Sequence, residues 1–348
     1  MILKGGEEGV VGSTAMLSYQ LSMTFILLVF LCLLSLLSIA ALISLYLLAK
    51  IYRVRYIEPA AIEDFDTALD ALRVLKTRDS LVHFEVCHSH VLHHQEKRPH
   101  CFVLLHGYSN CPKQFLELGE QLFARGHNVI IPRMPYHGYK NRLTSEVLKI
   151  SAEDLLKITG RSVAAAKGLG EEVTLIGLSM GGLLTAFFAQ CSQHVDRALT
   201  ISPFFGIYGM TANQLRRVGM LSLIAPNRYH WWHPELKDEA PGPPHAYPRL
   251  ATRNIAELLR ISFSLFKRAQ QAEIPSCKQL LYLENLGDQS IDNQRFHDFL
   301  DIWRDKGLEV TGITFSEELG LPHDIIDNSQ PLQQVGMVYG RVLELLDA

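Results

Sequence analysis

A run of uncharged residues near the start of the chain constrains its structure more than any other feature. No charged side chain occurs from Leu21 to Ala49, and Leu, Ile, Val, Phe and Ala dominate these 29 residues. A helix rises ~1.5 Å per residue, so ~20 residues cross the hydrocarbon core of a bilayer. Inside lipid the backbone must satisfy its own hydrogen bonds, as a helix does. The sequence therefore predicts a transmembrane helix over 21–49, behind an N-terminal tail of residues 1–20.

The residues that flank this run predict how the chain is placed. A signal peptide has an apolar region of only ~7–15 residues after a short basic segment, whereas this run is longer and follows Glu7 and Glu8. Lys50, Arg53 and Arg55 come directly after it. Under the positive-inside rule such residues stay in the cytoplasm. We therefore expect a single-pass membrane protein whose remaining chain is cytoplasmic.

Composition supports this location and excludes one class of partner. The six cysteines are irregularly spaced without a C-x-x-C motif, so we expect reduced, mostly buried thiols, as in a cytosolic domain. They are Cys32, Cys87, Cys101, Cys111, Cys191 and Cys277. The 33 basic and 36 acidic residues leave no basic excess, so no nucleic-acid surface is expected. The oligomeric state stays open.

Beyond a juxtamembrane segment with the first strands (50–99), apolar runs alternate with amphipathic segments. Apolar residues at helical spacing predict a helix within Ile62–Lys76, and Leu81–Val86 reads as a short strand. Further strands are predicted at Cys101–Leu105, Asn128–Ile131, Val173–Ile176, Ala198–Ile201, Gln279–Leu283 and Glu309–Phe315. Helices are predicted at Gln114–Ala124, Ala152–Lys167, Gly182–Gln190, Gln294–Lys306 and Pro331–Leu346. The alternation predicts an α/β domain over 100–348, with a mostly parallel sheet between two helical layers.

This alternation breaks at about residues 206–272, which are rich in aromatic residues, proline and histidine and end in an amphipathic helix at Ile255–Lys267. So many large apolar residues argue against a disordered linker. We expect this insertion to form a cap over the sheet.

The clearest chemical signal is the G-x-S-x-G motif at Gly177–Gly181, centred on Ser179. The motif alone is weak, but here it directly follows a predicted strand and opens a predicted helix. That context is the one a nucleophile elbow requires. Glycines at the flanking positions permit the sharp turn, and the helix N-terminus favours developing negative charge. Ser179 is therefore the predicted nucleophile.

A serine nucleophile needs a base and an acid, which follow it in this chain order. His323 lies in a loop after the last predicted strand, whereas His297 falls inside a predicted helix, so His323 is the predicted base. Asp288 follows the strand Gln279–Leu283 and is the predicted acid; Asp292 and Glu284 remain rivals. The acid would hold the histidine tautomer and stabilise imidazolium.

Two backbone amides are expected to stabilise an oxyanion. One belongs to Met180, the residue after the nucleophile, and we expect the second from Tyr108, in the loop after Cys101–Leu105. Gly107 would let this loop approach the site closely.

Together these motifs resemble the α/β-hydrolase superfamily, in particular its monoacylglycerol-lipase and carboxylesterase branch. The matching segments are His106-Gly107, Pro132–Gly138, Gly177–Gly181, Gly287-Asp288 and Pro322–Asp324. The resemblance covers about 70% of the chain. It implies a mostly parallel sheet of about eight strands and a two-step acyl-enzyme mechanism. The transmembrane helix departs from many soluble members.

These features predict a serine hydrolase that cleaves esters of an apolar acyl group, with no metal or cofactor. Acyl transfer to an alcohol uses the same triad and stays open, as does a non-enzymatic, membrane-tethered interaction domain. No specific substrate-binding residue can be assigned.

Other signals are weaker. A histidine-rich stretch invites a metal-site interpretation, but its spacing matches no standard pattern and it reads as a surface hairpin. Its members are His83, Cys87, His88, His90, His93, His94 and His100. Cys111 is read as a buried structural cysteine, and His137 as either a pocket or a turn residue. Trp231 and Trp232 could form an acyl pocket or the core of the cap.

Overall fold

The computed structural model describes residues 8–76, 80–232, 234–236, 242–271, 274–331 and 333–347. The chain forms two compact units, the first ending at Ala49 and the second beginning at Lys50.

The described part of the first unit belongs to one helix, α1, which runs from Glu8 to Ile51. Its section Tyr19–Ile51 has a mean hydropathy of 3.1, enough to cross a membrane by length and composition. The side chains of residues 19–46 are exposed, so α1 is not the buried core helix of a soluble domain. A signal sequence near an N-terminus also meets this criterion of length and composition.

The second unit is built around a seven-stranded sheet in the order β1-β3-β2-β4-β5-β8-β9. Its strands are β1 (His90–Leu92), β2 (Arg98–Leu105), β3 (Asn128–Ile131), β4 (Gly170–Leu178), β5 (Arg197–Ile201), β8 (Gln279–Asn285) and β9 (Glu309–Phe315). Only β1 pairs antiparallel to its neighbour, β3; the other pairs are parallel. A separate antiparallel pair is formed by β6 (Tyr229–Trp231) and β7 (Arg249–Ala251). The mostly parallel sheet confirms the predicted α/β hydrolase fold.

Helices cover both faces of the sheet. They are α2 (Phe65–Lys76), α3 (Lys113–Ala124), α4 (Ala152–Leu169), α5 (Met180–Cys191), α6 (Ala212–Ile224), α7 (Thr252–Gln270), α8 (Asn293–Asp305) and α9 (Val335–Asp347). Side chains alternate along a strand, so Val103 of β2 packs in the core under α4, α5, α7 and α8, while Leu104 packs under α3 and α9.

Several predictions about the edge of the sheet were wrong. Leu81–Val86 is not a strand; a 3₁₀ turn at Glu85–Cys87 follows a single bridge between His83 and Tyr139. The segment has no neighbouring strand to extend it, and Leu81 is 91% exposed. The predicted surface hairpin is also absent in this described region, because β1 pairs with β3 rather than β2.

The expectation that all cysteines are reduced thiols was wrong for one pair. Cys87 and Cys111 form a disulfide that joins the 3₁₀ turn to the loop before α3. Cys32, Cys101, Cys191 and Cys277 are free. The disulfide explains why Cys111 is fully buried; it is structural through a covalent bond rather than as a thiol.

The insertion at about 206–272 is more regular than its sequence suggested. It contains α6, which we did not predict, the β6–β7 pair, and α7, which is longer than the predicted helix at Ile255–Lys267. Thr211 starts α6 with a capping box, in which its side chain and that of Gln214 each bond the other's backbone amide. This motif stabilises a helix start and is the local signal that would have revealed α6.

Candidate active site

Ser179 lies in a strained turn between β4 and α5. Its backbone angles are φ 57° and ψ −112°, a conformation that costs a non-glycine residue on the order of 1–3 kcal/mol. A Cβ at Gly177 would meet the Gly181 carbonyl oxygen at 2.2 Å, and one at Gly181 would meet the Leu105 carbonyl oxygen at 1.9 Å. Only glycine fits at these two positions, so the motif is required by the close packing of strand, turn and helix.

Backbone hydrogen bonds join the end of β4 to the ends of the next two strands. The Ser179 N–H donates to the carbonyl of Ile201 at 3.0 Å, and the Ser202 N–H donates to the carbonyl of Leu283 at 2.9 Å. Adjacent strands lie ~4.8 Å apart, so β8 ends two strand spacings, ~10 Å, from β4. Side chains that follow β8 can therefore reach the serine edge of the sheet.

His323 is brought to the same edge by the loop after β9. The side-chain amide of Asn285 donates to the carbonyls of Leu321 and Pro322, at 3.1 and 3.2 Å. His323 Nδ1 then lies 2.5 Å from Asp288 Oδ2. The Asp288 side chain is fully buried, whereas that of His323 is 26% exposed. The loop of residues 320–327, called the base loop below because it carries the predicted base, is thus fixed. It presents His323 to the buried carboxylate of Asp288.

This contact sets the tautomer and the pKa of His323. A proton on Nδ1 is donated to Asp288, which leaves the Nε2 lone pair free to accept another. Burial acts to lower the pKa of His323, but the charge of Asp288, its hydrogen bond and the charge of Asp324 outweigh it. The pKa of His323 therefore lies above its ordinary value of 6.5.

Ser179 and His323 share one edge of the sheet without a direct hydrogen bond. Within the described residues, no hydrogen bond joins Ser179 Oγ to the imidazole, and Ser179 is 9% exposed. Catalytic hydrogen bonds are often long in substrate-free structures and shorten in the complex. The structure thus pairs His323 with Asp288 but leaves the contact to Ser179 unformed.

The rival acids have other roles. Glu284 Oε1 lies 2.8 Å from His297 Nε2, so these two groups occupy each other. Asp292 is the N-cap of α8 and accepts from the Arg295 N–H at 3.1 Å. Neither carboxylate is bonded to His323 in the described structure.

The loop after β2 is fixed by several buried side chains. Gln114 Oε1 accepts from the Gly107 N–H at 2.7 Å, so that amide is occupied. The Tyr108 hydroxyl accepts from Asn254 Nδ2 at 3.0 Å, and its carbonyl oxygen lies 2.7 Å from His137 Nε2. Tyr108 is therefore held at both its hydroxyl and its carbonyl oxygen.

Met180 is the first residue of α5, and the first amides of a helix have no partner within it. The Leu105 carbonyl abuts Gly181, which places the start of α5 directly beside the loop that carries Tyr108. Both predicted oxyanion donors thus belong to segments that meet at the elbow.

His137, which we left open, supports the loop rather than lining a pocket. It is fully buried, and its Nδ1 lies 2.8 Å from the Pro135 carbonyl. Burial lowers the pKa of His137 to about 4.

Neither tryptophan of the insertion belongs to its core. Trp232 is 47% exposed and donates through Nε1 to the Tyr247 carbonyl. Trp231 is half-buried and lies under the guanidinium of Arg249. The sequence alone left open whether Trp231 and Trp232 form an acyl pocket or the core of the cap.

The histidine-rich stretch does not assemble a metal site within the described residues, where no three potential ligands converge. His94, for example, stacks on Phe123 with ring centroids 4.1 Å apart.

A buried polar cluster joins the loop after β2 to the loop after β9, and the sequence analysis did not predict it. Asn110, His245, Asp324 and Asp327 meet there. Two aspartates within four residues of the predicted base are visible in the sequence, but Asn110 and Asp327 lie 217 positions apart. Only the fold shows that they are partners.

The profile of one protein family, described as serine aminopeptidase S33, matches residues 96–309, more than half of the chain. The chain belongs to this family of α/β hydrolases. The matched part of this S33 hydrolase contains Ser179 and Asp288, whereas His323 lies beyond it. A comparison with curated proteins found no match.

Solved structures share the fold of this S33 hydrolase at low identity. A soluble variant of the monoglyceride lipase of Saccharomyces cerevisiae superposes with a TM-score of 0.57 at 14% identity, covering 75% of this chain and 91% of that chain. The monoacylglycerol lipase of Paleococcus ferrophilus gives 0.56 at 18% identity, covering 74% and 97%. A metagenome-derived lipolytic enzyme, from work on LipS and LipT, gives 0.55 at 16%, covering 76% and 98%.

Proposed function

We propose that this S33 hydrolase is a membrane-anchored serine esterase that cleaves carboxylic esters of apolar acyl groups through an acyl-enzyme. The observation that carries the proposal is the 2.5 Å contact between His323 and Asp288 at the sheet edge where Ser179 occupies a strained elbow. Strain of this kind persists only where the surrounding structure enforces it, and it is concentrated at functional sites.

The proposed reaction uses each group once per half-reaction. Ser179 Oγ attacks the acyl carbonyl carbon while its proton passes to His323 Nε2. Asp288 stabilises the imidazolium through Nδ1–H, and the Tyr108 and Met180 amides bind the oxyanion. The tetrahedral intermediate expels the alcohol, which takes the proton from His323. Water then attacks the acyl-enzyme by the same route and releases the acid.

Features outside the proposed triad support an apolar substrate. The insertion, which we propose is a cap, exposes large apolar side chains such as Tyr208, Leu221 and Ile224. Two of the structurally similar proteins are lipases of monoglycerides or monoacylglycerols. The helix over 21–49, proposed as a single-pass anchor, would hold the domain beside lipid. Acyl transfer to an alcohol needs the same groups, and added alcohol acceptors would yield new esters if it occurred.

Fluorophosphonate labelling tests the proposal, because the probe phosphonylates a serine only when a base activates it. The purified full chain should be labelled at Ser179 and should hydrolyse a chain-length series of p-nitrophenyl esters. Ser179→Ala should lose labelling and at least ~10³-fold in turnover.

Ser276→Ala is the matched control, because Ser276 contacts Gln190 at the opposite end of α5. It should be labelled and active like the original chain. Turnover by Ser179→Ala at the original rate would refute the nucleophile. An unlabelled, inactive original chain would favour a non-enzymatic interaction domain.

A further inference from the structure

A single buried side chain bridges the two loops of the proposed active site. Asn110 is 2% exposed, and its Nδ2 donates to Asp324 Oδ2 and to Asp327 Oδ2, both at 2.9 Å. Its Oδ1 accepts from the Cys111 N–H at 2.8 Å. Both amide protons are thus used on carboxylates of the base loop, and the orientation of the amide is fixed from both ends.

Each of the two carboxylates has further hydrogen-bond partners. Asp327 is fully buried and lies 2.8 Å from His245 Nε2, and its Oδ1 accepts from the Ser329 N–H. Asp324 accepts from Gln330 Nε2 at 3.0 Å. His245 belongs to the insertion, so three separate segments of the chain meet at this cluster.

The pKa values of Asp324 and Asp327 are shifted in opposite directions. Burial and the neighbouring charge of Asp327 raise the pKa of Asp324. Burial acts on Asp327 in the same direction, but the hydrogen bonds from His245 and Asn110 outweigh it and lower the pKa of Asp327 to about 2. Asp327 is therefore the anionic centre of the cluster, and Asn110 lies between it and Asp324.

The position of these bonds gives them a consequence for catalysis. Asn110 lies two residues after Tyr108, the proposed oxyanion donor, and Asp324 directly follows His323. The two loops come from β2 and β9, which lie on opposite sides of the elbow strand β4. The bonds from Asn110 therefore fix oxyanion donor and base relative to each other, beside the serine.

We propose that Asn110 is a positioning residue for the hydrolytic reaction and that Asp327, held by His245, is its anchor. The proposal rests on the proposed esterase function. It assigns Asn110 no contact with substrate. Its role is to keep the Tyr108 amide and the His323 imidazole in one geometry as the transition state forms. Misplacement by ~1 Å can reduce a rate ~10²-fold.

The experiment combines ester kinetics with hydrogen–deuterium exchange on the full chain. In Asn110→Ala, kcat should fall ~10–100-fold with KM nearly unchanged, because the lost geometry matters only in the transition state. Exchange should rise at residues 320–327, in the loop that loses its hydrogen bonds to Asn110. Asp327→Asn keeps the shape of the side chain and should act in the same direction. His245→Gln, which retains a donor, should keep more activity than His245→Ala.

A double variant separates positioning from general damage. Because Asn110 and Asp327 act through one bond, Asn110→Ala/Asp327→Asn should lose no more kcat than the worse single variant. Asn328→Ala is the matched control: its amide donates to Glu117 in a solvent-exposed hydrogen bond, and neither kcat nor exchange should change.

Unchanged exchange at 320–327 in Asn110→Ala, kcat within about twofold of the original, or additive losses would each overturn the positioning role. An original chain without ester turnover would instead refute the proposed function, while the exchange measurement would still decide whether Asn110 couples the two loops.

Discussion

At the scale of single residues, the candidate site combines backbone strain at the proposed nucleophile with a carboxylate contact at the proposed base. Ser179 is held at positive φ by neighbours that permit only glycine at 177 and 181. His323 gains its raised pKa from Asp288 against the effect of burial. Both features depend on fixed neighbours rather than on the reactive groups alone, so each should respond to a change in its support.

The raised pKa of His323 predicts a pH dependence. Only neutral imidazole can act as base, so kcat/KM should rise with pH, with a midpoint above the ordinary 6.5. In Asp288→Asn the charge that raises the pKa is lost while burial remains, so the midpoint should move to lower pH. Activity above it should fall by up to ~10⁴-fold, because the tautomer is no longer held. Ester hydrolysis between pH 5 and 9 measures both effects.

Asp292→Asn is the control for that experiment, because asparagine is as good an N-cap as aspartate. It removes the charge of a rival acid without disturbing α8 and should leave midpoint and rate unchanged. If Asp292→Asn lowered the midpoint and Asp288→Asn did not, the acid would be Asp292.

At the scale of elements, local patterns predicted the core strands and the elbow but not the pieces that depend on distant partners. β3 and β9 have the predicted bounds. β3 is a continuous, fully buried apolar run, as expected of a parallel strand covered on both faces, whereas β9 is a partly exposed edge strand. The three-residue β1 is only half-buried and depends on β3, so it left no local signal. The Cys87–Cys111 bond and the contact between Asn110 and Asp327 join segments whose proximity follows only from the assembled sheet.

The disulfide is an element-scale support for the loop that carries Tyr108. It closes a loop between positions 24 apart, which in the chain-entropy account stabilises a fold by about 2–4 kcal/mol. In oxidised protein, Cys87→Ala/Cys111→Ala should lower the free energy of unfolding by that amount. Thermal or urea unfolding measures it.

Cys191→Ala, at a free and partly exposed cysteine, should leave the unfolding free energy nearly unchanged. Equal unfolding midpoints for the oxidised original chain and the double variant would show that the disulfide adds no stability.

At the scale of the whole molecule, the residues that follow the apolar run 21–49 are packed into the α/β unit. Arg260 of α7 donates to the carbonyls of Lys50 and Arg53, and Ile51 is fully buried. Arg260 is in turn bonded by Glu153 and Glu257. Removing a partner from a buried charge is costly, so the segment from Lys50 to Arg53 is fixed on the α/β unit rather than a free linker.

Two features of the molecule predict opposite sides of the membrane for the proposed catalytic domain. Lys50, Arg53 and Arg55 predict a cytoplasmic domain, whereas disulfides are typical of oxidising compartments. The charges act during insertion, before the domain folds, so we keep the cytoplasmic prediction. It requires the disulfide between Cys87 and Cys111, which the structure contains, to be reduced in the cell.

Reporter fusions at the C-terminus in a bacterial host test this orientation. A green fluorescent protein fusion should fluoresce and an alkaline phosphatase fusion should be inactive, because each reporter folds on one side only. Maleimide–polyethylene glycol added at lysis under denaturing conditions should modify Cys87 and Cys111. Exchanging all three basic residues for glutamine should reduce the bias and give a mixed result. An active phosphatase together with a pair that resists maleimide would place the catalytic domain on the oxidising side, and the positive-inside prediction would be wrong.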